Sequence, residues 1–99
     1  MDESTARERA NAHAQAIVAG DMGRAGRDLS PEVMEVAGAV MKQMPRPVTG
    51  AEVVSVESDG DTTICRICYT GHDSEVTVAS HWQNVDGEQK IVWLTVDEG

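Results

Sequence analysis

Two cysteines stand three residues apart in "TTICRICYTG", residues 62–71. A Cys-x-x-Cys can serve as a dithiol redox pair or supply half of a zinc site. Either chemistry requires the two sulfurs to converge. A redox pair needs both on one side, usually at a helix start where the thiolate is stabilised. A zinc knuckle needs a turn, and "CRIC" carries Ile64 and Ile67 where turn residues would stand. The order Cys65, Cys68, His72, His81 is not a familiar zinc spacing either. The stretch is rich in β-branched residues and reads as a strand, whose period of two sends Cys65 and Cys68 to opposite faces. The expectation is two packed thiols, with no metal and no cofactor.

Proton transfer is the other chemistry to weigh. Abstraction beside a carbonyl needs a base inside an apolar cavity and a donor, such as Tyr, for the developing oxyanion. Tyr69 is the candidate donor. No Asp or Glu falls at the middle of a strand on Tyr69's side of the sheet, and Glu75 points to the other side. Ser80 shares that side but finds no His there. His13, one turn from Ile17 on the first helix, is the remaining candidate base. It lacks a third group to orient it, which leaves the constellation incomplete. Trp82, Trp93 and Tyr69 could form an aromatic cage for a ligand, with Met41 and His13 at its edge. The competing reading makes them core, because a chain without Phe cannot spare its largest side chains.

These residues must be held by some scaffold, and the first half of the chain reads as helices. Ala6, Ala10, Ala14 and Ile17 recur at helical spacing, a narrow stripe suited to close packing. Gly20 suits a helix end, and Asp21 suits the cap of a short second helix. Ser30 and Pro31 suit the start of a third, whose apolar side runs through Val33, Val36, Ala37, Val40, Met41 and Met44, and which Pro45 and Pro47 end. The second half reads as four strands, "AEVVSVES", "DTTICRICYT", "SEVTVASHWQN" and "EQKIVWLTV". Asp59-Gly60 and Asp86-Gly87 mark two-residue hairpins, and His72-Asp73 centres a third turn. The fold class expected is α+β. Three N-terminal helices, at about 4–44, pack on a curved four-stranded antiparallel meander, at about 50–97, in a single domain spanning 1–99.

Tight hairpins fix register, so the two faces can be assigned. One carries Val54, Val56, Cys65, Ile67, Tyr69, Val76, Val78, Trp82, Ile91 and Trp93, and should receive the helices. The other mixes Val53, Ile64, Val92, Leu94 and Val96 with Arg66, Cys68, Thr77, Ala79 and His81. A face so apolar on a small domain predicts an interface. Arg66, Cys68, Ala79, His81 and Leu94 are therefore expected to meet a second copy across a two-fold axis.

Composition narrows the partners. Eight basic against 17 acidic side chains give a formal charge of −9, with acids clustered at both termini. That field repels a phosphate backbone or an anionic membrane surface. No apolar stretch reaches the ~20 residues that cross a bilayer, and "MDESTARERANAHAQ" lacks the pattern of a signal peptide. A cytoplasmic protein is expected.

The order of elements resembles the small NTF2-like, or SnoaL-like, proteins of the cystatin-like α+β superfamily. A first helix ends in "AIVAGD", a short helix follows, "LSPE" opens a third, and "VTVASHWQNVDGEQKIVWLTV" looks like the final hairpin. The resemblance implies a cone-shaped cavity between helices and sheet, and dimerisation through the sheet. Many members insert a strand pair where "RAGRDLSPE" leaves no room, which implies a reduced sheet. The function expected is a non-catalytic dimeric domain with a pocket for a small apolar ligand, or a protein-binding role. The alternative is a cavity enzyme of isomerase or hydrolase type, using Tyr69 with His13.

Overall fold

The structure, a computed structural model, describes residues 1–97; Glu98 of the acidic C-terminal run lies outside the described residues. Helix α1 (Glu3–Ala19) opens where Asp2 accepts a hydrogen bond from the Thr5 N–H at 2.7 Å, satisfying one of the first turn's free donors. It closes at Gly20, whose φ of +75° is the left-handed end that glycine adopts without strain. Ala6, Ala10 and Ala14 are fully buried, and this stripe lets α1 lie flat on β1 (Gly50–Asp59) and β2 (Thr62–Thr70). Asp21 caps the short helix α2 (Met22–Gly26) as its residue type suggests.

The third helix starts differently from expectation. Ser30 makes no capping bond, and the chain first forms a 3₁₀ turn, Pro31–Val33, before α3 (Met34–Met41). The backbone ahead of that turn is otherwise engaged. Ser30 N–H donates to the Ile91 carbonyl at 2.9 Å, and Ile91 N–H donates to the Asp28 carbonyl at 2.6 Å. Residues 28–30 thus pair briefly with the outer edge of β4 (Glu88–Asp97), with Leu29 bridging to Ile91. In this short connection the backbone bonds fix where the Asp28 side chain starts.

The sheet is antiparallel, in the order β1-β2-β3-β4, with β3 spanning Glu75–Val85. Asp86-Gly87 centres the last hairpin, both residues with positive φ, as expected. The 71–74 loop joins β2 to β3 around His72-Asp73, also as expected. The first hairpin is shifted. Asp59 pairs with Thr62, so Gly60 and Asp61 form the turn, and Gly60 with φ +62° takes the first central position, where a type II′ turn places its glycine. Val56, not Val54, therefore faces Cys65.

Two β-bulges then exchange faces within strands. In β1 the register shifts between Val53 and Ser55, leaving Val54 unpaired and half-exposed, while Val53 packs against the core. In β4, Trp82 pairs with Ile91 but His81 pairs with Trp93, so Val92 is the extra residue. Beyond it the assignment reverses. Leu94 and Val96 turn to the helices, and Trp93 turns outward, 49% exposed. Leu94 therefore leaves the expected interface set, and Trp93 leaves the expected cage. The core lies between helices and sheet, with Trp82, Ile67, Ile91, Val33 and Cys65 as its most enclosed side chains.

Candidate functional site

Three elements converge on one cavity of about 250 Å³. Helix α1 supplies His13 and Ile17, the α2–α3 region supplies mainly Met and aliphatic side chains, and the sheet supplies Tyr69, Val78 and Leu94. Met22 and Met34 line it yet are about half-exposed, so they stand at its rim. His13 and Tyr69 are the polar side chains in this wall. Burial pushes the Tyr69 phenol well above its usual range, so it stays a neutral donor at any working pH. Of the residues expected at a ligand, His13, Tyr69 and Met41 meet at the cavity. Trp82 lies behind the wall, fully buried, and Trp93 lies on the opposite face of the sheet.

His13 has the orienting group that the sequence did not reveal. Its Nδ1 sits 3.0 Å from Oδ2 of Asp28, and both side chains are buried. A carboxylate only accepts, so Nδ1 carries a proton and donates to Asp28. The Trp82 ring stands nearly perpendicular to the imidazole, with 6.2 Å between ring centres. Arg24, one turn before Asp28, completes the cluster at 3.3 Å. Burial pushes the Asp28 carboxyl up, but the His13 hydrogen bond and charge, with Arg24, outweigh it and hold the group below the usual carboxylate range. A single acid in a loop carries little signal. Its spacing of four from Arg24 was the one available hint.

That depressed carboxyl carries a pH consequence. Ionised Asp28 stabilises the fold fully above its unfolded pKa of about 3.9, and the contribution is lost as pH falls through the lower folded value. The acid limb of the melting curve should therefore steepen below about pH 4. Asp28→Asn should flatten that limb and lower the melting temperature at pH 7. An unchanged acid limb in this variant would contradict the ion-paired placement.

The cysteines behave as their opposed directions require. Cys65 is buried under α1, its Sγ 3.9 Å from the Ala6 carbonyl, and burial pushes its thiol up to about 11 against a small opposing effect of Arg7. Cys68 is half-buried on the outer face, and both are free. Ser80 is tied down, donating to the Cys65 carbonyl at 2.9 Å and accepting from Trp82 Nε1 at 3.0 Å.

On the outer face, Ile64, His81 and Trp93 form a row across three strands. Arg66 and Cys68 share that face, whereas Ala79, between Arg66 and Thr95, is only 2% exposed and so leaves the expected interface set. Arg66 is held between Glu57 and Asp97, each at 3.0 Å, so its charge is matched within the chain. No helix among the described residues is long and apolar enough to cross a membrane.

Comparison of the chain with protein-family models, with curated proteins and with solved structures gives no match.

Proposed function

We propose that the chain is a reduced NTF2-like domain of the cytoplasm that binds a small apolar ligand between its helices and sheet. It pairs with a second copy through the outer sheet face, around Arg66, Cys68, His81 and Trp93. The observation that carries the ligand reading is the aliphatic and thioether wall of the cavity, interrupted only by His13 and Tyr69. Small-molecule sites combine such walls with a few convergent polar groups. The free thiols suit a reducing compartment. Native mass spectrometry of gently purified protein tests both parts, with a dimer carrying a small organic adduct as the expected species. A bare monomer that takes up no apolar compound would contradict them.

The His13–Asp28 pair favours a second reading, a cavity enzyme that abstracts a proton next to a carbonyl. His13 Nε2 would act as base, Asp28 would position it, and Tyr69 would donate to the oxyanion. This predicts exchange of the α-hydrogens of 2-decanone in deuterated buffer, followed by NMR. His13→Gln should slow that exchange by 10²-fold or more. Equal exchange with wild type and variant would exclude His13 as the base.

A further inference from the structure

The cavity beside His13 adjoins a second hollow of about 350 Å³, walled further by Val18 and the 45–48 loop. Ile17, Met22, Met41 and Met44 line both. Three of these four are methionines, unbranched and able to repack at little cost. The partition between the hollows is therefore built mainly of side chains that can repack. Taken alone, the inner hollow falls just below the roughly 300–1,000 Å³ of small-molecule sites, whereas the two joined fall within that range.

The polar ends of this double hollow differ. Arg46 is the one cationic side chain lining either part. It is exposed and forms no ion pair among the described residues. Its loop is braced, because Pro45 packs so tightly on Gly71 that a β-carbon there would overlap it. At the inner end Asp28 is already paired with His13 and Arg24, so no free cation faces the cavity there among the described residues. Electrostatics therefore orients an amphipathic chain one way, with its anionic head at Arg46 and its apolar tail inside.

We propose that the two hollows form one elongated site for a straight-chain fatty acid, with its carboxylate at Arg46 and its aliphatic tail passing the methionines toward Val78 and Leu94. This rests on the reading of the inner cavity as a ligand site. The chain's net charge of −9 gives no long-range help to an anion. Affinity comes chiefly from the tail, and Arg46 sets its direction.

Calorimetric titration with hexanoate, octanoate, decanoate and dodecanoate tests this, with decanol as the neutral chain and cyclohexane as a probe of the inner hollow alone. Kd should tighten about fourfold per added methylene until the hollows are filled. Arg46→Gln should weaken decanoate threefold or more and leave decanol unchanged. A flat chain-length series, or decanoate binding indifferent to Arg46→Gln, would overturn the proposal. Cyclohexane binding without any acid binding would overturn it while supporting the cavity reading. If no probe binds, both fall.

Discussion

Leu94→Arg should unfold the protein, whereas Trp93→Arg, one residue away, should leave each subunit folded and change only its association. The difference follows from the bulge at Val92, which turns Leu94 onto the helix side at 8% exposure and Trp93 onto the outer face at 49%. An arginine at 94 removes a packed leucine from the wall beside Val78 and places a charge against a wall that is apolar apart from His13 and Tyr69, with no acid lining it. Loss of the packing and burial of an unpaired charge together cost about 4 kcal/mol or more. A domain this small has roughly 5–15 kcal/mol in total. At position 93 the new side chain meets solvent beside His81, and an exposed substitution changes subunit stability by about 0.5 kcal/mol or less. If the outer face is the dimer face, however, a two-fold axis brings two such arginines together. On that proposal, the expected result is a dimeric wild type by sedimentation and a monomeric Trp93→Arg at the same concentration. Melting curves and mass for both variants check this. A folded Leu94→Arg would contradict the bulge, and a dimeric Trp93→Arg with wild-type melting would remove the outer face as the interface.

The same bulge explains where sequence reasoning about the sheet stops. Strand existence, order and two of three turns were legible, because Asp86-Gly87 and the β-branched runs state them directly. Register near those turns was legible too, as in Tyr69 opposite Val76 and Trp82 opposite Ile91. Neither bulge carries a signature. Val54 and Val92 are ordinary strand residues inside apolar runs, without the glycine that often marks an inserted residue. Each shifts the pleat by one and so reverses every assignment beyond it. Val53 and Leu94 moved inward for that reason, and Val54 and Trp93 outward. What decides is burial: the reversals bring Val53, Leu94 and Val96 against the helices, a gain that periodicity within one strand does not display.

The candidate site was half-legible for a related reason. His13 and Tyr69 could be nominated by type and by face, since each lies on a long regular element. Asp28 could not, because its position comes from the backbone bonds that Asp28 and Ser30 each make to Ile91, more than 60 residues away along the chain, and no local pattern announces a long-range bridge. The third member is what turns a boundary histidine into an oriented one.

Trp82→Ala should be the most destabilising truncation in the sheet, and its outcome bears on the function as well as the fold. Trp82 is fully buried, and its indole N–H donates to Ser80, whose hydroxyl donates onward to the Cys65 carbonyl. Its ring also stands nearly perpendicular to that of His13. Removing a side chain of this size from a closed core costs about 3–5 kcal/mol. For about 100 residues that lowers the melting temperature by more than about 10 °C. Two roles make opposite predictions here. A tryptophan lining a ligand site would leave on truncation a larger, still folded pocket, with altered ligand preference and modest loss of stability. A tryptophan that supports the site from behind would take the stability with it, and would free His13 to turn. The structure places Trp82 behind the cavity wall, so the second pattern is expected: a large fall in melting temperature in Trp82→Ala and a smaller one in Trp82→Phe, which keeps an aromatic ring in the core. If the cavity binds an apolar ligand as proposed, Trp82→Phe should bind it within about threefold of wild type, because the atoms that line the cavity are unchanged. A stable Trp82→Ala protein with a widened ligand range would instead put Trp82 in the ligand's path, and with it restore the aromatic cage from which the structure has already removed Trp93.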